Sequence, residues 1–120
     1  MIVEDNQTFR ETLELLFDLR PDIDVVASVS TGNAAPETCA RLKPDVVLMD
    51  YRLPGLDGVQ ATRAVMEACP DTAVVCLTAS ANLRERDALM EAGAVALLRK
   101  DQGLDAIVAA IRDAVRREAA

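Results

Sequence analysis

Histidine is absent from this 120-residue chain, which excludes a Ser-His-Asp triad, a Cys-His nucleophile and any His-ligated zinc site. Tryptophan is absent too, and Tyr51, Phe9 and Phe17 are the sole aromatic residues. The core must therefore be aliphatic, and neither base stacking nor an aromatic ligand cage has much material. Positive charge is scarce: 13 Lys and Arg face 20 Asp and Glu, a formal net charge of −7. Binding to a nucleic-acid backbone needs clustered cations, so direct nucleic-acid binding is disfavoured and any DNA role would belong to another domain. Cys39, Cys69 and Cys76 are odd in number, lack Cys-x-x-Cys spacing and lie in or beside apolar-periodic segments. They read as packing thiols and fit a reducing cytosol. No apolar run approaches the ~20 residues of a membrane helix, and no charged-then-apolar leader precedes the first run, so the expectation is a soluble, cytoplasmic protein with no membrane partner. The chemistry left to this chain must come from carboxylates, hydroxyls and lysine.

What is present is a core-forming composition, 51% apolar, in a chain long enough for one domain without disulfides or stapling metals. Short apolar runs alternate with amphipathic segments of ten or more residues, the pattern of an α/β domain with a doubly wound parallel sheet, here one (βα)5 unit. The expected strands are Met1 to Val3, Val25 to Val29, Val46 to Met49, Ala73 to Leu77 and Val95 to Leu98. Asn6 is the expected cap of a first helix that carries Phe9, Leu13, Leu16 and Phe17 as core until Pro21 stops it. Gly32 and Pro36 interrupt the start of the second helix, which is expected late, over Thr38 to Leu42. A third, Val59 to Ala68, follows the turn Pro54-Gly55-Leu56-Asp57-Gly58. Asn82 caps a fourth that ends at Gly93, and Leu104, Ile107, Val108, Ile111 and Val115 mark the stripe of a fifth. Beside that stripe lie Ala106, Ala109, Ala110 and Ala114, small enough for close helix approach or merely an Ala-rich solvated face. The first strand starts at Met1 and the last helix runs to Ala120 without a linker, as in a fragment of a longer protein.

Four of the five apolar runs end at residues suited to a phosphoryl group and a divalent cation: Glu4 and Asp5, Asp50, Thr78, and Lys100 after Arg99. In open α/β sheets ligands bind at the carboxyl edge of the strands, so parallel strands would bring these groups together. Crowded carboxylates raise one another's pKa or recruit a cation. An oxygen-only cluster with open positions suits Mg²⁺, with Mn²⁺ tolerated. Lys100 brings a movable point charge and Thr78 a hydroxyl donor. A carboxylate attacks phosphorus to form an acyl phosphate when cations neutralise the equatorial oxygens, and Asp50, between the acidic pair and Thr78, is the best nucleophile. The phosphoryl donor must be external.

The segments Val3-Glu4-Asp5-Asn6, Met49-Asp50-Tyr51-Arg52-Leu53-Pro54-Gly55-Leu56-Asp57-Gly58, Leu77-Thr78-Ala79 and Arg99-Lys100-Asp101 resemble the receiver domain of two-component response regulators, over the whole chain. Gly93-Ala94 and Lys100-Asp101, where many receivers have Lys-Pro, look most like the NarL/LuxR-type subfamily, which carries a C-terminal helix-turn-helix DNA-binding domain. The resemblance implies a flavodoxin-like sheet of order 2-1-3-4-5 and a role in transcription control. It implies that Asp50 takes a phosphoryl group from the phosphohistidine of a sensor histidine kinase. Asp5 and Asp50 would ligate Mg²⁺ directly, Glu4 through water, and the backbone carbonyl of Arg52 would complete the set. Lys100 would contact a phosphoryl oxygen, and Thr78 would shift towards it. At the family's usual aromatic switch position stands Leu97, so the common ring flip is unavailable. A non-proline cis peptide costs ~3 kcal/mol, so the Lys100-Asp101 bond is expected trans.

Blander roles stand beside these. Glu4 or Asp5 alone suits a solvated strand end or a helix cap, Thr78 a turn, and Lys100 a surface ammonium or a structural ion pair with Asp50. Asp57-Gly58 reads as a turn or cap, while Arg52 and Ser80 lie near enough to tune phosphoryl lifetime. An aspartyl-phosphate hydrolase would need a second carboxylate two positions after its nucleophile, where this chain has Arg52. A phosphorylation-independent receiver-like interaction module usually lacks one of the acidic pair, the acceptor or the lysine, and all are retained here. Homodimerisation is expected through the first and fifth helices, or through the fourth helix and fifth strand.

Overall fold

Alternation along the central strands sends side chains to two opposite faces, and both faces are covered by helices. The computed structural model describes residues 1–79 and 82–119, the last three as helix backbone. The elements in chain order are β1 (Ile2–Val3), α1 (Gln7–Asp18), β2 (Ser28–Val29), α2 (Ala34–Leu42), β3 (Val46–Asp50), α3 (Gly58–Ala68), β4 (Ala73–Thr78), α4 (Leu83–Ala92), β5 (Ala96–Arg99), a 3₁₀ turn Lys100–Gln102 and α5 (Leu104–Ala119). Every strand pairing is parallel and the sheet order is β2-β1-β3-β4-β5, as the resemblance implied. Val3, Val47, Met49, Val74 and Cys76 pack on one face against Cys39 of α2, Ala61 and Val65 of α3 and Leu89 of α4. Ile2, Leu48, Val75 and Leu77 pack on the other against Leu13 and Phe17 of α1 and Ile107 and Val108 of α5. All three cysteines are free and buried, as packing thiols should be.

The helix caps follow the sequence. Asn6 Oδ1 accepts from the N–H of Phe9, Asp57 Oδ1 from that of Gln60, and Asn82 Oδ1 from that of Glu85. Gly93 ends α4 in the left-handed region at φ 117, where a side chain would be strained.

Three expectations are corrected. Helix α2 starts at Ala34, four residues earlier than expected, with Pro36 inside its first turn. There a proline costs little, because the N–H it lacks would have no intrahelical partner. Strand β2 is confined to Ser28–Val29, because it is an edge strand whose one neighbour, β1, pairs with it only through Ile2 and Val3. On α5 the residue that closes the stripe is Ala114, 1% exposed, while Val115 is 41% exposed. Three residues beyond Ile111 still faces the sheet and four turns away, so Ala114 belongs to this domain's core and is not part of a free small-residue flank. No peptide bond among the described residues is cis, so Lys100-Asp101 is trans as expected. No helix among them is long and apolar enough to cross a membrane.

Candidate functional site

Register places the acidic groups. Val3 pairs with Met49 and Asp50 with Leu77, so Glu4 leaves β1 beside Asp50, and Thr78 ends β4 one residue beyond the partner of Asp50. Glu4, Asp50 and Thr78 are buried, Asp5 is exposed, and the 3₁₀ turn after β5 carries Lys100 to the same edge. The groups line a cavity of about 460 Å³ with Asn6, Arg52 and Ala79. Lys100 Nζ lies 2.7 Å from Glu4 Oε1 and 3.2 Å from Asp50 Oδ1. One carboxylate oxygen from each of Glu4, Asp5 and Asp50 falls within 4.8 Å of the others.

The electrostatics follow from this crowding. Burial first, then the Glu4 carboxylate, push Asp50 up to about 7, while the Lys100 ammonium pulls the other way. Burial pulls Lys100 down, but its close ion pair with Glu4 and the charge of Asp50 more than offset this and hold it above the ordinary lysine value. Fully ionised, three carboxylates face one ammonium, a deficit of two charges that a divalent cation would match. The all-oxygen donor set, open on the Asp5 side, fits a hard cation that keeps some of its water.

The structure thus brings together Glu4, Asp5, Asp50, Thr78, Lys100 and the Arg52 segment. The Arg52 side chain itself is exposed. Leu97 lies elsewhere: it pairs with Cys76 and packs half-buried on the α2–α4 side of the sheet, in a groove it shares with Arg86 and Met90 of α4. Ser80 lies outside the described residues. Gly58 is held close, donating to the Tyr51 carbonyl at 2.8 Å. A Cβ there would meet Tyr51 Cα at 2.7 Å and the Asp50 carbonyl oxygen at 2.8 Å, so only glycine lets α3 begin against the end of β3.

Three contributors were not foreseen. The Asn6 N–H donates to Glu4 Oε2 at 3.0 Å, Arg10 Nη1 donates to the Glu4 carbonyl at 2.8 Å, and the Phe9 ring lies under Lys100 Nζ, 4.8 Å from ring centroid to nitrogen. Their sequence signal is weak: Phe9 reads as helix core, and its second contact depends on a lysine 91 positions away.

Fold and cleft together define a class: a doubly wound α/β domain with an acidic, lysine-closed cleft at the carboxyl edge of its central strands. The sequence profile of the response regulator receiver domain matches residues 1–112, and the chain belongs to that family. It is similar to the transcriptional regulatory protein LnrK of Bacillus subtilis (strain 168), 36% identical over 111 residues that cover 92% of this chain and 50% of that protein. It is also similar to the transcriptional regulatory protein DegU of Brevibacillus brevis, at 32% identity over 93% of this chain and 48% of the relative. Among solved structures, the signal receiver domain of the regulator NarL of Mycobacterium tuberculosis superposes with a TM-score of 0.89 at 33% identity, covering 96% of this chain and 93% of that one. The chain spans about half the length of the curated relatives it matches. It is a receiver domain of the two-component type, a signalling module.

Proposed function

We propose that Asp50 accepts a phosphoryl group from the phosphohistidine of a sensor histidine kinase in a Mg²⁺-dependent reaction, and that the acyl phosphate switches an output. The observation that carries this reading is the placement of Asp50, buried between Glu4 and the Thr78 end of β4, with Lys100 Nζ 3.2 Å from Oδ1. An Asp50 oxygen attacks phosphorus as the P–N bond breaks, and the imidazole leaves with the bonding pair and is protonated by solvent. A cation bound by Asp5, Asp50 and the Arg52 carbonyl, with Glu4 behind water, would supply neutralisation of the carboxylates and the equatorial oxygens. Mg²⁺ suits that donor set best, and Mn²⁺ would substitute. Lys100 transfers its charge from the carboxylates to a phosphoryl oxygen, and the Thr78 hydroxyl donates to another. Since Leu97 has no ring to flip, Thr78 couples to the α4–β5 surface through aliphatic packing alone. The domain promotes its own phosphorylation and dephosphorylation, with Arg52 and Ser80 setting the lifetime.

The output is transcription, through a helix-turn-helix domain beyond residue 120, in the cytoplasm. The similarity to two transcriptional regulatory proteins, each about twice the length of this chain, supports this. A second reading, a phosphorylation-independent interaction module, draws on Leu97. Intact mass after incubation with acetyl phosphate and Mg²⁺ separates the two. One added phosphoryl group, lost in Asp50→Asn and in a chelated sample, is the expected result. No adduct, even with fluoroberyllate as a stable mimic, would leave the interaction module.

A further inference from the structure

Lys100 is held on three sides. Its Nζ lies 2.7 Å from Glu4 Oε1, 3.2 Å from Asp50 Oδ1 and 4.8 Å from the centroid of the Phe9 ring. An ammonium presents three N–H donors, and the negative face of an aromatic ring attracts it without being charged. The loop that carries the acids delivers the ring. The Asn6 N–H donates to Glu4 Oε2 at 3.0 Å, and Asn6 Oδ1 accepts from the Phe9 N–H at 2.9 Å, so one hydrogen-bonded chain runs from the Glu4 carboxylate through the cap of α1 to Phe9. Half-buried Phe9 also packs on the apolar face shared with α5, which anchors the rest of the ring.

We propose that Phe9 is a positioning residue for phosphoryl transfer, its ring face keeping the Lys100 ammonium at the carboxyl edge when the carboxylates are engaged elsewhere. This rests on the reading of Asp50 as phosphoacceptor. At rest two carboxylates hold the ammonium, but a divalent cation bound by Asp50, with Glu4 behind its water, competes for both carboxylates and repels the ammonium. The ring's attraction does not depend on the charge state of Glu4 or Asp50, so it alone persists through loading and transfer. Without it the flexible four-carbon stem of lysine is free to swing into solvent.

Two measurements test this. In phosphorylation by acetyl phosphate, Phe9→Leu keeps the apolar bulk and removes the ring face, and the rate is expected to fall about 3- to 10-fold, whereas Phe9→Tyr stays within about 2-fold of wild type. Independently of transfer, Lys43 and Lys100 are the chain's only lysines, and Lys43 lies remote at the end of α2. In ¹³C-lysine NMR the Lys100 ε-methylene protons should be shifted upfield of those of Lys43 by the ring current, with and without Mg²⁺, and Phe9→Leu should abolish that shift. A wild-type shift that vanishes on adding Mg²⁺, or Phe9→Leu phosphorylated as fast as wild type, would overturn the proposal. A wild-type protein that takes no phosphoryl group would overturn the acceptor reading, and this role with it.

Discussion

Asp50 shows how a residue visible in the sequence acquires its properties from neighbours that are not. Its place after the most apolar run marks it as a strand-end carboxylate, but its elevation to about 7 arises from burial and from Glu4, 46 positions away. The sign of the consequence is definite. Between the ordinary value of 3.8 and about 7, the folded protein without divalent cation binds a proton that the unfolded chain has released. Asp50 therefore costs the fold progressively more as pH rises through that window. In urea unfolding with chelator at pH 8, Asp50→Asn should be more stable than wild type by about 1–3 kcal/mol, with the gap closing towards pH 5. Equal stability at both pH values would mean that Asp50 is not strained by Glu4 in the way the geometry indicates. Phe9 makes the same point from the other side: its core role is legible from helical spacing, its contact with Lys100 only from the fold.

At the scale of elements, local chemistry predicts starts and stops well and strand extent poorly. Asn6, Asp57 and Asn82 cap where a short polar side chain precedes an apolar stripe, because the capping geometry spans only four consecutive residues. Strand β2 fails that locality test: Val25 and Val26 have strand propensity, yet the parallel pairing starts only where β1 starts, with Ile2 opposite Ser28. The β3–α3 connection joins local chemistry to the site. Gly58 sits against the backbone of Asp50 and Tyr51, so Gly58→Ala should destabilise by about 1–3 kcal/mol and slow phosphorylation of Asp50, by displacing the Arg52 segment. Thermal unfolding and the acetyl phosphate assay would check this together. Unchanged stability would show that α3 tolerates a shift away from β3.

For the molecule as a whole, two apolar faces around one sheet account for the isolation of its thiols. Burial pushes Cys39 up to about 11 and Cys76 up to about 12. A thiol must ionise to react, so both should resist a disulfide reagent at pH 8 in the native protein and react in urea. Rapid native labelling of either would show that the α2–α4 face opens readily. Sequence alone determined the fold class, the helix caps and the identities of Glu4, Asp5, Asp50, Thr78 and Lys100, because strand alternation, capping and the residue at a strand end are short-range properties. Tertiary structure decided which of these groups touch, the raised pKa of Asp50, the ring beneath Lys100 and the separation of Leu97 from the acidic cleft. Each of those depends on parallel register between strands tens of residues apart, and register follows from how both faces pack rather than from any local segment.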